Sequence, residues 1–158
     1  MGGDGQVSAV QTFVDLLAGR REPAVLPPRD WDGVIGVARS EAMLATLAHR
    51  LAGADLPPTV SAMFADQRAA AKVAQAQAIW EAEMARRALA PAGIEFVLLK
   101  GAAYAAADMS CAAGRQIGDL DILVLSHDIR RAENELLNAG WEWVKSDPYD
   151  DAYYRQHM

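Results

Sequence analysis

The sequence contains little that could cross-link the chain or anchor it in a membrane. Its one cysteine, Cys111, excludes an internal disulfide framework and a cysteine-rich zinc site, and a lone thiol fits a reducing compartment. No window approaches the roughly 18 unbroken apolar residues of a membrane span, and the N-terminus lacks the basic and apolar regions of a secretory signal. We therefore expect a cytoplasmic protein with no membrane partner.

Several common catalytic motifs are also missing. The chain contains no Gly-x-Ser-x-Gly, no His-Glu-x-x-His, no Walker-type phosphate loop and no Gly-x-Gly-x-x-Gly. His127 and His157 have no nucleophile or acid at a suitable spacing, and His49 has no histidine or acidic residue four positions later. The sequence therefore gives no support to a serine hydrolase, a zinc protease or a Rossmann dinucleotide-binding domain.

Basic residues are scarce in the second part of the chain, which carries most of the net charge of −6. Residues 91–158 contain six basic and eleven acidic side chains, whereas residues 1–90 contain nine and ten. Because a nucleic-acid groove depends on clustered lysine and arginine, we do not expect long nucleic acids as partners. Acidic clusters attract divalent cations, although a solvated acidic face is the more common explanation.

Helical patterns fill the first 90 residues, a region rich in alanine. Apolar residues recur at helical spacing over residues 7–17 and 31–51, and Gly or Pro follows each stretch. Residues 59–89 contain no Gly or Pro and have strong helix propensity, which predicts one long helix or two in line. We expect the large residues of this segment to form a packing stripe and not a ligand site. They are Met63, Phe64, Val73, Ile79, Trp80 and Met84.

Short strands and turns are expected after Pro91. Residues 94–99 form an almost wholly apolar run, typical of a strand buried on both faces, and Lys100-Gly101-Ala102 then turns into a short helix. A flexible stretch over residues 110–118 precedes a second strand over residues 119–125. The last predicted elements are a helix that Ser126 caps and Gly140 ends, running to about Asn138, and a third strand over residues 141–144.

Asp119 and Asp121 are the candidate metal ligands. Residues two apart on a strand point to the same side, which would place these two residues roughly 6–7 Å apart at their Cα atoms. Carboxylates this close repel each other unless a cation lies between them, and Mg²⁺ often joins carboxylates to substrate phosphates. The pair alone is weak support, because a chain of this length has on the order of an even chance of containing Asp-x-Asp.

The turn before the short helix and a nearby arginine are candidate phosphate contacts. Gly101 permits close approach of a phosphate to backbone N–H groups, although an ordinary tight turn explains the glycine equally well. Lys100 could add positive charge there or point away along the strand edge. Arg115, four residues before Asp119, could pair with a carboxylate or bind a phosphate in a bidentate manner, and the alternative is a surface arginine.

These segments together resemble the bacterial uncharacterised nucleotidyltransferase group of the DNA polymerase β-like superfamily. The resemblance is carried by residues 97–103 (VLLKGAA) and 115–124 (RQIGDLDILV), with flanking similarity over residues 88–94 and 135–141. It implies an α+β fold, in which a helical region over residues 1–90 precedes a nucleotidyltransferase core over residues 91–158. That core would be a small, incomplete mixed sheet with flanking helices.

The resemblance also implies a chemistry. Asp119 and Asp121 would hold Mg²⁺, the metal would bind a nucleoside triphosphate, and Gly101 with the following helix N-terminus would cradle the phosphates. An acceptor, which the sequence does not identify, would attack the α-phosphorus, and pyrophosphate would leave. The residues expected to bind the nucleotide phosphates are Lys100, Gly101, Ala102, Arg115 and Gly118.

Two departures from the family pattern affect this prediction. Ala102 stands where the superfamily normally has a second Gly or Ser, so no hydroxyl is available there. The third carboxylate of the superfamily has no clear equivalent before Met158, although Glu142 could fill the place. We therefore expect either the N-terminal part of a longer enzyme, completed by a C-terminal partner segment, or an inactive interaction module. The chain could also form a homo-oligomer. A glycosyltransferase with a nucleotide-sugar metal ranks lowest, because that chemistry normally uses a longer α/β domain.

Overall fold

Six α-helices and two short strands make up residues 8–142, the part of the chain that the computed structural model describes. The helices are α1 (Ala9–Leu17), α2 (Trp31–Ser40), α3 (Leu44–Arg50), α4 (Pro58–Leu89), α5 (Lys100–Ala106) and α6 (Ile129–Asn138), and the strands are β1 (Phe96–Leu98) and β2 (Ile122–Val124). Single 3₁₀ turns occupy Pro23–Val25, Pro28–Asp30, Ala90–Ala92, Ser110–Ala112 and Ser126–Asp128. No helix within the described range is long and apolar enough to cross a bilayer.

The larger hydrophobic core lies between α1, α2, α3 and the first turns of α4. Trp31 packs edge-on against Phe64, with ring centroids 6.0 Å apart and planes at 79°. The prediction of helices here is confirmed, and Ser8 caps α1 by accepting a hydrogen bond from the Gln11 amide at 3.1 Å. The second apolar pattern forms two helices and not one, because Ala42 adopts a left-handed conformation with φ 54° between α2 and α3.

Helix α4 is a single helix, the first of the two predicted arrangements. It contains 32 residues, so it is about 48 Å long at 1.5 Å per residue. The packing stripe was wrongly predicted for Val73, Ile79 and Trp80, which are exposed by 67%, 38% and 61%. The buried face instead contains a mainly alanine series at every seventh residue, Phe64, Ala71, Ala78 and Ala85, together with Val60, Ala82 and Leu89. Small side chains on this face allow neighbouring elements to approach the α4 backbone closely.

The two strands form an antiparallel sheet at the C-terminal end of α4. Phe96 pairs with Val124 and Leu98 with Ile122. Phe96, Ile122 and Val124 pack on a second, smaller core around Leu89, Ile94 and Ala132. The prediction that β1 is buried on both faces is wrong, because Val97 on the outer face is 60% exposed. These helices and strands are consistent with the predicted α+β class, although a mixed sheet is not seen in residues 8–142.

The second strand and the following helix start later than the sequence predicts. β2 begins at Ile122, so Asp119 and Asp121 lie before it in a segment without regular secondary structure. Ser126 opens a 3₁₀ turn and does not cap α6, which begins at Ile129. Helix α6 ends at Asn138 as predicted, with Gly140 at φ 96°. Trp141 and Glu142 are not in a strand, and the rest of the predicted third strand lies outside the described residues.

Candidate functional site

A tight turn joins β1 to α5 and confirms the predicted order of strand, turn and helix. The amide of Leu99 donates to the carbonyl oxygen of Asp121 at 3.0 Å, which continues the antiparallel ladder one residue beyond β1. Lys100 then adopts φ 49°, a left-handed conformation that is uncommon for a residue with a side chain. This backbone reversal places the start of α5 directly beside the segment that carries Asp121.

Gly101 is buried at the start of α5, where another segment approaches it closely. A Cβ at this position would lie 3.2 Å from Cγ1 of Ile117 and 3.5 Å from Nε of Arg115. A side chain at this position would therefore press on Ile117, which would have to shift by a few tenths of an ångström. Ala102 is also buried, 1% exposed, so its methyl group packs in the interior and faces no open surface.

The two aspartates differ in their surroundings. Asp121 Oδ1 lies 2.9 Å from the ammonium nitrogen of Lys100, and the Asp121 side chain is 27% exposed. Asp119 is exposed. The Lys100 ammonium is a positively charged partner for the Asp121 carboxylate. It lies beside this carboxylate, where a metal cation would also be stabilised. In residues 8–142 no group of three His, Cys, Asp or Glu side chains is arranged to hold a metal ion.

Arg115 lies over the first turns of α5. Its guanidinium carbon is 5.7 Å from the centroid of the Tyr104 ring, a cation–π contact, and its Nε faces Gly101. The structure thus brings Lys100, Gly101, Arg115 and Asp121 together around one turn. Gly118 is exposed, and a methyl group added to its Cα would meet no atom within 4 Å, so the structure does not show why glycine stands there.

The loop after α5 was predicted to be flexible, but much of it is docked on the helical region. The side-chain amide of Gln75 on α4 donates to the carbonyl oxygens of Ala112 and Arg115, the latter at 3.3 Å. Thr46 on α3 donates from its hydroxyl to the carbonyl oxygen of Gly114 at 3.4 Å. Sequence reasoning missed these contacts because the partners are 37 to 68 residues apart, and no local pattern marks them.

Asp128 is a further polar residue that the sequence did not single out. It is only 7% exposed and accepts a hydrogen bond from Nη1 of Arg131 at 2.6 Å. Arg131 also donates through Nη2 to the carbonyl oxygen of Ala92 at 2.7 Å. The pair therefore ties the start of α6 to the turn after α4, and we assign it a structural role.

Glu142, the candidate for a third carboxylate, is exposed and follows α6. In the described part of the chain it does not form a group of three possible metal ligands with Asp119 and Asp121. Its assignment to the site therefore stays a prediction.

Comparison with protein families gives a match over most of the chain. A family model described as "Uncharacterised nucleotidyltransferase" matches residues 27–158, which include the whole β1–α5 turn, Arg115 and both aspartates. No curated protein and no solved structure matches the chain.

Proposed function

Because the chain belongs to the uncharacterised nucleotidyltransferase family, we propose that it binds a nucleoside triphosphate with Mg²⁺ and transfers the nucleoside monophosphate to an acceptor. We further propose that its sheet is the polymerase β-like core of this reaction. The observation that carries the proposal is the convergence of Lys100, Gly101, Arg115 and Asp121 on the β1–α5 turn. Charged groups of both signs meet there, as the recognition of a metal-bound triphosphate requires.

The oxygen donors of Asp119 and Asp121 fit a hard divalent cation, since Mg²⁺ is commonly held by one or two carboxylates together with substrate phosphates. The metal would neutralise charge on the triphosphate and so favour loss of pyrophosphate. Lys100 is 68% exposed on a long flexible stem, so its ammonium can move from Asp121 to a phosphate oxygen when a cation takes its place.

Arg115 is the residue that we expect to contact a phosphate most specifically. A guanidinium offers several N–H donors in one plane, which match two oxygens of a phosphate. Its contact with the Tyr104 ring holds the group beside the turn without using those donors. Binding would therefore require little reorientation of Arg115.

Titration of ATP, CTP, GTP and UTP, each with Mg²⁺, into the intact protein and into Asp119→Asn/Asp121→Asn tests this function. Charged contacts contribute roughly 1.5–3 kcal/mol each, so we expect the double variant to bind the preferred nucleotide at least about 100-fold more weakly. Asp55→Asn/Asp66→Asn changes the net charge equally at two exposed positions and should bind as the intact protein does. Failure of all four nucleotides to bind, or equal binding by both site forms, would contradict the proposal.

A nucleotide-binding module without turnover is the second candidate. It is favoured by the finding that, in the described residues, no third acidic or histidine side chain joins the two aspartates. Release of pyrophosphate in the presence of Mg²⁺ separates the two candidates. Nucleotide binding without pyrophosphate release, together with a stable oligomer on a sizing column, would identify the module.

A further inference from the structure

Gln75 connects the long helix α4 to the backbone of the loop that carries Arg115. Its Nε2 donates to the carbonyl oxygens of both Ala112 and Arg115. The side chain is partly buried beneath this loop. Because one amide group holds two carbonyls three residues apart, it fixes the path of the chain between them.

Contacts with α3 hold the same loop from a second helix. A Cβ on Gly114 would lie 2.5 Å from the carbonyl oxygen of Ala45 and 2.9 Å from Cα of Thr46, so the loop lies directly against the α3 backbone. The Thr46 hydroxyl adds a hydrogen bond to the Gly114 carbonyl oxygen. Three of the four residues 112–115, namely Ala112, Gly114 and Arg115, are thus held by the helical region.

The side chain of Arg115 lies among residues of the turn, beside the Tyr104 ring and Gly101. Its carbonyl oxygen is held by Gln75, so backbone and guanidinium have separate anchors. A group whose backbone is already ordered loses less conformational freedom when it binds a ligand. By holding the backbone of Arg115, Gln75 should therefore raise the affinity for any anion that Arg115 contacts.

We infer that Gln75 is a positioning residue for the phosphate contact of Arg115. Through Gln75, the helical region sets the affinity of the site for a nucleoside triphosphate. This inference rests on the proposed function. The hydrogen bonds of the Gln75 side chain go to the loop backbone, so we expect its effect on binding to pass through the loop.

Gln75→Leu removes both donors and keeps a similar side-chain volume. The matched control is Gln77→Leu, two residues away on the same helix, where the native amide donates to Glu81 Oε1 at 2.9 Å on an exposed face. We expect Gln75→Leu to weaken binding of the preferred nucleotide among ATP, CTP, GTP and UTP by about 5- to 30-fold, as loss of roughly 1–2 kcal/mol of ordering would. Gln77→Leu should change it less than twofold.

A double-mutant cycle with Arg115→Gln separates positioning from general damage. If Gln75 acts through Arg115, Gln75→Leu should weaken binding less than twofold in the Arg115→Gln background. An equal loss in both backgrounds, or equal binding by Gln75→Leu and Gln77→Leu, would overturn the inference. Gln75→Met, which keeps the chain length and has no donor or charge, replaces Gln75→Leu in the cycle if the leucine variant does not fold.

Hydrogen exchange of residues 110–118, measured without nucleotide, tests the role of Gln75 in the loop independently of the proposed function. Faster exchange in Gln75→Leu than in Gln77→Leu is expected if Gln75 holds the loop, and equal exchange would overturn the inference whatever binds. If the loop loosens but the intact protein binds none of the four nucleotides, the proposed function fails and the positioning of a phosphate contact fails with it. If nucleotides bind and the cycle shows no coupling, only the role of Gln75 fails.

Discussion

At the scale of single residues, Gly114 is the position where the loop after α5 lies closest to α3. It has φ 70°, and a Cβ there would also lie 2.8 Å from Cβ of His49. Both the backbone conformation and the lack of space exclude a side chain. Gly93 has almost the same conformation, φ 69°, but a Cβ there would have no atom within 4 Å. Substitutions at the two glycines therefore distinguish the cost of backbone strain alone from the cost of strain together with steric contact.

We expect Gly114→Ala to destabilise the protein by about 2–4 kcal/mol, because roughly 1 kcal/mol of left-handed strain is added to the cost of displacing the loop. For a chain of this size the Tm should fall by about 5–15 °C. Gly93→Ala should carry the strain alone and lower the Tm by about 2–4 °C. Thermal unfolding followed by circular dichroism measures both, and equal shifts would show that the loop does not need its close contact with α3.

At the scale of elements, α4 buries four of its alanines and exposes several large residues. Ala78 is 3% exposed, whereas Trp80 on the same helix is 61% exposed. Helical spacing alone predicts which residues share a face, but not which face is buried. Hydrophobicity favoured the face with Val73 and Trp80, while close packing against α5 and α6 required the face with small side chains.

Ala78→Leu should therefore be costly although leucine is a strong helix former. Adding a large side chain to a close-packed face costs typically about 1–3 kcal/mol, which urea unfolding would measure as a lower free energy of unfolding. Ala76→Leu is the control, because Ala76 is exposed on the same helix, and its effect should remain within about 0.5 kcal/mol. Similar values for the two variants would mean that the alanine face is not tightly packed.

At the scale of the whole molecule, the sequence correctly predicted the features that depend on residues close together in the chain. The helices, the β1–α5 turn and the end of α6 at Asn138 depend on propensity, capping and breakers within a few residues. The start of β2, the exposure of Val97 and the docking of the loop on Gln75 depend on contacts distant in the chain. The grouping of Lys100 with Asp121 joins residues 21 apart, and only the family resemblance indicated that the two segments would meet.

The two hydrophobic cores differ greatly in size, although α4 contributes to both. Among residues 8–142, thirteen buried residues form the core around Trp31 and Phe64, whereas three form the core around Leu89 beneath the sheet. Since burial of apolar surface is the main source of stability, the sheet end should be the weaker part. If the predicted division of the chain near residue 90 also separates two units of stability, the sheet end should open while the larger core stays folded.

Native-state hydrogen exchange should show this difference between two amides that each have a backbone hydrogen bond. The Leu99 amide bonds to Asp121 in the sheet, and the Leu47 amide bonds to Met43 in the larger core. We expect Leu99 to exchange through an opening at least about 1.4 kcal/mol less costly, a tenfold difference in the opening constant. Leu89→Ala removes a fully buried side chain of the smaller core, at a cost of about 2–5 kcal/mol, and should accelerate exchange at Leu99 much more than at Leu47. Equal opening free energies at both amides, falling together in Leu89→Ala, would instead mean that α4 and the docked loop make the two cores unfold as one unit.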